Sequence, residues 1–162
     1  MTRENMMAAQ APKQLVAEEV TQQMRHAGLN RAFLTAQLLT GNAAQAEHAV
    51  MGAIAAWGPG PGERDFMEHV VRTALGPKYE NVQPPKDDKP FAEWPAELRA
   101  ILHLPLPLRH CYVLRVLIGS SREACARVLG LTAQGIDEST TAALHMLPQL
   151  MKRPQMAAGC RA

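Results

Sequence analysis

Histidine, cysteine and carboxylate side chains are the groups of this chain that could carry chemistry, and their spacing matches no common catalytic or metal site. The six histidines and three cysteines lack the short paired spacing of a zinc site. No nucleophile elbow is present, and the alternating prolines of residues 58–62 remove the N–H donors that a phosphate-binding glycine loop needs. The sequence therefore predicts a protein that is not an enzyme and has no metal or cofactor, with His103 and His110 at the surface or at helix ends.

The cysteines and the hydropathy pattern indicate a reducing compartment. Cys111 and Cys125 fall on apolar faces of predicted helices, which favours buried free thiols. No apolar run approaches the length of a membrane span, and the N-terminus lacks the apolar core of a signal peptide. We expect a soluble, cytoplasmic protein.

The apolar residues are mostly of the helix-forming kind. They make up 47% of the 162 residues, but only 4% of the chain is aromatic, so alanine, leucine and methionine supply most of the apolar surface. Strand-type alternation is hard to find, and the sequence predicts an all-α fold. The formal charge is only +2, from 17 basic and 15 acidic residues. This balance argues against a strong stand-alone DNA binder, because phosphate contacts supply much of such a protein's affinity.

Helical spacing and turn residues divide the first half of the chain into four predicted helices, which we assign to one bundle over residues 11–75. The predicted helices are Pro12–His26, Leu29–Leu39, a third from its Asn42 cap to Trp57, and Glu63–Leu75. Gly28 is predicted to separate the first two, and Gln45 occupies the capping-box position after Asn42. The predicted buried residues are Ala46, Val50, Ile54 and Trp57 in the third helix and Phe66, Val70 and Ala74 in the fourth.

Residues 76–90 have the composition of a linker, with four prolines and a charged cluster at residues 86–89. A second bundle is predicted over residues 91–150. Its predicted helices are Ala96–Leu102, Leu108–Ile118, a third from its Ser121 cap to Leu129, and a fourth from its Thr132 cap to a stop at Pro148. Gly119 and Gly130 are predicted to end the second and third of these helices, because glycine adopts a positive φ at low cost.

The last two predicted helices meet the local demands of a tight helix-turn-helix. Ala126 supplies the small residue where the second helix crosses the first, Gly130 supplies the turn, and Ile136 returns an apolar residue to the shared core. Leu144 and Leu147 extend the inner stripe of the second helix. This spacing alone fits an ordinary helical hairpin equally well.

The residues around this motif resemble region 4 of the sigma-70 family of RNA polymerase sigma factors, of the extracytoplasmic-function (ECF) type. The resemblance covers Leu106–Leu147 without a gap. It rests on Leu106-Pro107, Arg109, Tyr112-Val113-Leu114-Arg115, Gly119, Ser121, Glu123, Ala126 and Leu129-Gly130-Leu131-Thr132. The first bundle more weakly resembles region 2 of the same family, through Ala32-Phe33 to Leu39, Gly41, Ala46-Glu47-His48-Ala49-Val50 and Trp57.

The resemblance implies a protein of transcription initiation with two small helical bundles joined by the Pro-rich linker. The second bundle would contain a helix-turn-helix of the winged-helix-like, sigma region 4 type. In the leading interpretation the first bundle binds core RNA polymerase and the second lies near promoter DNA. The residues that would contact DNA are Arg122, Thr132, Ala133, Gln134 and Ser139.

Both DNA-reading surfaces depart from the family pattern, so the resemblance is to a degenerate member. No lysine or arginine occurs from Thr132 to Leu147, where the family presents basic residues to the promoter. Asp137 and Glu138 would instead face phosphate oxygens. The region-2-like bundle also has few aromatic and basic residues with which to hold a melted DNA strand.

These departures motivate a second interpretation, a sigma mimic that binds an anti-sigma factor or the polymerase without reading DNA. Asp137 and Glu138 would then be partner-binding residues. A third alternative is a helical interaction domain unrelated to transcription.

Overall fold

The computed structural model describes residues 11–56, 62–76 and 91–152, with side chains described from residue 26 onward except that of Glu63. All regular structure in these residues is helical and no strand occurs among them, which confirms the predicted all-α class. Within these same residues, no helix has the length and apolar character that crossing a membrane requires.

The first helix, α1, spans Ala11–Thr40 without interruption. The predicted break at Gly28, and with it the division into Pro12–His26 and Leu29–Leu39, is therefore wrong. Glycine costs a helix only about 1 kcal/mol relative to alanine. Because Gly28 is buried, packing of this part of α1 outweighs that cost.

The second helix, α2, spans Ala43–Ala56 and begins at the predicted cap. The Oδ1 atom of Asn42 accepts a hydrogen bond from the N–H of Gln45 at 3.1 Å. The reciprocal half of the predicted capping box is absent, because the N–H of Asn42 donates to Thr40 Oγ1 at 3.3 Å. The side-chain oxygen of Gln45 has no hydrogen-bond partner. The start of α2 is thus fixed by one side-chain cap and by the end of α1.

The inner faces of α2 and α3 match the predicted spacing in part. In α2 the buried residues are Ala46, Ala49, Val50 and Ala53. Ile54 is 40% exposed, so its predicted burial is wrong, and Trp57 lies outside the described residues. The third helix, α3, spans Glu63–Ala74. It buries Phe66, Val70 and Ala74, as predicted.

The C-terminal helices begin with α4, which spans Ala96–Leu102 as predicted. The next helix, α5, spans Leu106–Tyr112 and so begins before the predicted Leu108. Pro107 lies in its first turn, where the missing N–H costs no hydrogen bond.

Helix α5 continues into a π-helical turn at Val113–Leu117, which the sequence pattern did not predict. The N–H of Ile118 donates to the carbonyl of Val113 at 3.0 Å, so the hydrogen bond spans five residues instead of four. Gly119 then adopts a φ of +75° and ends the helix, as predicted.

The last two helices are α6, Arg122–Leu129, and α7, Ala133–Lys152. The predicted caps are both present: Ser121 Oγ accepts the N–H of Ala124 at 3.1 Å, and Thr132 Oγ1 accepts the N–H of Gly135 at 3.0 Å. Gly130, between the helices, has a φ of +66°.

Helix α7 runs through Pro148, so the predicted stop at that residue is wrong. A proline inside a helix leaves the carbonyl four residues earlier, here that of Leu144, without its partner. Pro148 and Leu144 are both exposed, which lets water satisfy this carbonyl. Because Leu144 is exposed, its predicted place on the inner face of α7 is wrong. The buried residues of α7 are Ile136, Ala143 and Leu147.

The helices pack in two sets that touch each other. Helices α1, α2 and α3 contact one another. Helix α7 contacts α4, α5 and α6, and α1 contacts α4, α5 and the π-helical turn. The predicted linker lies outside the described residues apart from Gly76. Cys111 and Cys125 are free and fully buried among α4 to α7, as predicted, whereas Cys160 lies outside the described residues.

Candidate functional site

The candidate DNA contacts lie mainly where α6 ends and α7 begins. Thr132 and Gln134 are exposed and Ala133 is half-buried. The hydroxyl of Thr132 is engaged as the cap of α7. The side-chain amide of Gln134 donates to Glu138 Oε1 at 2.7 Å, one turn further along the same helix. The polar groups at the start of α7 therefore bond to the helix itself.

Arg122, at the start of α6, is the one cation of the candidate set, and it is paired with carboxylates. Its guanidinium donates to Asp137 Oδ2 at 3.0 Å and, through Nε, to Glu123 Oε1 at 3.3 Å. The hydrogen bond to Asp137 is the main reason that the pKa of Arg122 is raised. The structure thus joins a predicted DNA contact to a predicted partner-binding residue.

Ser139 is the candidate DNA contact that lies apart from the others. It is half-buried, and its side chain forms a hydrogen bond with the thiol of Cys111 in α5. Burial raises the pKa of that thiol, and the hydrogen bond with Ser139 opposes the shift. Ser139 therefore faces α5.

The charges on this surface are mostly acidic. Between Ser121 and Leu147 the chain has two cations, Arg122 and Arg127, and three carboxylates, Glu123, Asp137 and Glu138. Each of these five residues is exposed or half-exposed at the surface of α6 or α7. A phosphate backbone approaching here would meet more carboxylates than cations.

Apolar side chains are also exposed near the turn between α6 and α7. Val128, on the last turn of α6, and Leu131, in the turn itself, are each 40% exposed. Exposed apolar side chains grouped together are typical of protein-binding surfaces. On the first set of helices, Met51 and Ile54 lie one turn apart on α2 and are 58% and 40% exposed.

A second polar cluster joins the two sets of helices. Arg109 is fully buried and donates to two carbonyls at helix ends, Leu102 O at 3.0 Å and Leu39 O at 3.2 Å. His110 Nε2 lies 3.1 Å from the same Leu39 oxygen and so donates to it. Burial lowers the pKa of Arg109 to about 10. His110 is half-buried in the last turn of α5, in agreement with its predicted place at a helix end.

The electrostatics of His110 follow from its position. Burial lowers its pKa to about 4, the hydrogen bond to Leu39 opposes the shift, and the charge of Arg109 adds to it. His110 is therefore neutral near pH 7, with its proton on the nitrogen that faces Leu39.

A cleft of about 390 Å³ opens beside His110, between the two sets of helices. Its walls are Leu39, Thr40, Ala74 and Leu75 from the ends of α1 and α3, and Leu106, Pro107, His110, Val128, Leu129 and Leu131 from α5, α6 and the following turn. The cleft has both polar and apolar surface, and Val128 and Leu131 are its exposed members on the side of α6.

The described residues contain no group of three or more histidine, cysteine or carboxylate side chains placed to hold a metal ion. The role of Arg109 and His110 in joining the helices is a feature that the sequence reasoning missed. An arginine amid the apolar positions from Leu102 to Leu114 was the available signal.

Comparisons of the chain with protein-family models, with curated proteins and with solved structures find no match.

Proposed function

We propose that this chain is a sigma-factor-like protein of transcription initiation that acts through protein–protein contact and does not read promoter DNA. In this proposal α1–α3 form the bundle that binds core RNA polymerase, and α4–α7 form a second bundle. Within it, α6 and the start of α7 are a helix-turn-helix that meets a protein partner such as an anti-sigma factor. The observation that carries the proposal is the ion pair between Arg122 and Asp137.

The helix-turn-helix interpretation is supported by the local geometry of the turn. Gly130 adopts a left-handed conformation, and the N–H of Leu131 donates to the carbonyl of Ala126 at 3.1 Å. Ile136 is fully buried. These three positions are the ones that the sequence motif assigns to the crossing, the turn and the shared core.

The charges support the proposal that the chain does not read DNA. Direct readout uses free donors such as arginine on base edges, with further cations on phosphates. In this chain Arg122 would have to leave two carboxylates before it could contact DNA. Asp137 would then remain as an unpaired negative charge close to the phosphates, which is unfavourable.

Protein contact is supported by the exposed apolar side chains. Val128 and Leu131 at the turn, and Met51 and Ile54 on α2, offer exposed apolar area; Arg127 is adjacent to the first pair in sequence, and Glu47 lies one turn before Met51. An apolar centre with a polar rim is the usual composition of a protein-binding patch. The α2 pair is the part of the first bundle that we assign to the polymerase contact.

Binding to purified bacterial core RNA polymerase, immobilised for interferometry, tests the first half of the proposal. The parent chain should bind, and the double variant Met51→Ser/Ile54→Ser should bind about tenfold more weakly, since apolar residues at the centre of an interface often contribute more than 1 kcal/mol each. The matched control is Leu144→Ser on α7, which removes an equally exposed apolar side chain from the other set of helices and should leave the affinity unchanged.

Failure of the folded parent chain to bind core polymerase would contradict the proposal. An equal loss in the α2 double variant and in the Leu144→Ser control would contradict the placement of the contact on α2.

A further inference from the structure

We propose that the exposed face of α7 binds the same face of a second copy of this chain, with the two helices antiparallel and related by a two-fold axis near His145. This self-association goes beyond the transcription role proposed above and does not depend on it.

The exposed side of α7 carries apolar side chains at helical spacing. Leu144 and Met151 are seven residues, or about two turns, apart, and they are 50% and 44% exposed. Thr141 and Pro148 are also seven residues apart and exposed, and they lie beside the first pair on the same side of the helix. A spacing of seven residues gives a continuous stripe, which is the arrangement by which two helices pack side by side.

The same stretch of α7 has no formally charged side chain. No aspartate, glutamate, lysine or arginine occurs from Ser139 to Met151, and His145 is the only titratable residue there. Charged residues make up 20% of the chain, so thirteen residues would have two or three of them on average. An exposed, partly apolar helix face without these charges favours contact with another protein surface.

Opposite charges lie at the two ends of this face. Glu138 and Lys152 are exposed, and each is seven residues from His145 along the same side of the helix. Within the described residues neither one forms an ion pair, and Glu138 accepts a hydrogen bond only from the neutral amide of Gln134.

This placement of the charges makes the face complementary to itself. When two copies of α7 lie antiparallel with His145 near the axis, Glu138 of each copy is opposite Lys152 of the other, and the apolar stripes meet between them. A parallel pair would bring like charges together at both ends instead. The charges therefore favour a second copy as the occupant of this face, in the antiparallel orientation.

The contact is small, so the dimer should be weak. The face runs from residue 138 to residue 152, which is about 21 Å of a single helix from each copy. Stable interfaces usually involve more residues from each partner, so we expect a dissociation constant on the order of 100 µM. Binding to polymerase at nanomolar concentrations would involve the monomer, so the two proposals can fail separately.

Sedimentation equilibrium at low salt, over concentrations from about 10 to about 500 µM, tests the dimer. The average mass of the parent should rise toward that of two chains. Glu138→Lys and Lys152→Glu each put like charges opposite one another at both ends of the pair, so each should weaken the dimer about tenfold. The double variant Glu138→Lys/Lys152→Glu restores both pairs and should associate as the parent does. An equimolar mixture of the two single variants should also associate, at concentrations where each alone is monomeric.

The matched control is Glu47→Lys, which makes the same change of charge at an exposed position on α2 and should leave the dimer as in the parent. Met151→Ser tests the apolar part of the face without a change of charge and should weaken the dimer. A parent chain that stays monomeric throughout the concentration range would overturn the proposal. Association of the double variant as weak as that of the single variants would overturn the antiparallel pairing, and an equal loss in Glu47→Lys would overturn the placement on α7.

Discussion

Arg109 and His110 are adjacent residues that donate hydrogen bonds to the same carbonyl oxygen, that of Leu39, but burial changes their charge states differently. The guanidinium stays charged, since burial lowers its pKa only to about 10. The imidazole becomes neutral near pH 7, because its pKa falls from 6.5 to about 4. His110 is thus the one of the two whose protonation links folding to pH.

The stability of the chain should fall as the pH drops from about 6.5 to about 4, in part because of His110. In this range the unfolded chain binds a proton at His110 and the folded chain does not, so acid favours unfolding. The whole shift of the His110 pKa corresponds to about 3 kcal/mol in the free energy of unfolding. Urea unfolding of the parent and of His110→Gln across this range measures the effect. The variant should lose a large part of the pH dependence.

His145→Gln is the matched control for that measurement, because His145 is exposed on α7. Equal changes of the pH dependence in the two variants would contradict the assignment to His110. The sequence could not predict this behaviour, since the burial of His110 depends on the end of α1, which is distant along the chain.

At the scale of helices, the turn between α6 and α7 depends on Gly130. A β-carbon at this position would meet no atom within 4 Å, so the cost of replacing the glycine comes from its φ of +66° alone. Gly130→Ala should therefore lower the free energy of unfolding by about 1 kcal/mol. Chemical denaturation followed by circular dichroism measures this change.

Gly52→Ala is the natural comparison, because Gly52 lies inside α2 and a β-carbon there would be 3.6 Å from Thr73 Cγ2, an ordinary contact. Alanine is the better helix former, so this variant should gain about 0.5–1 kcal/mol. Changes of the same sign in the two variants would contradict the conformational explanation for Gly130.

Capping residues and turn glycines correctly predicted where helices begin and end when their effect depends only on residues within the same turn. The Asn42, Ser121 and Thr132 caps and the positive φ of Gly130 were predicted because each depends on its own turn. Gly28 and Pro148 misled the prediction, because packing and exposure decide whether a helix continues through such residues. The π-helical turn had no recognisable sequence signal.

At the scale of the whole molecule, the sequence identified the candidate surface but not how its residues pair. Gln134 and Glu138 are one helical turn apart, so their hydrogen bond could have been expected. Arg122 and Asp137 are fifteen residues apart on different helices, and their ion pair depends on how α6 crosses α7. That pair is the observation on which our proposal depends, because it engages the cation that DNA reading would need.

Whether α6 and α7 read DNA is best measured by the binding of labelled promoter duplexes to the chain, followed by fluorescence anisotropy at low and at physiological salt. We would compare the parent with Arg122→Gln and with Arg127→Gln, which removes a second exposed arginine from the same helix. We predict no specific binding at physiological salt and no difference between the two variants. Specific, salt-dependent binding by the parent that is weakened in Arg122→Gln but kept in Arg127→Gln would contradict the proposal, because Arg122 would then read or hold DNA.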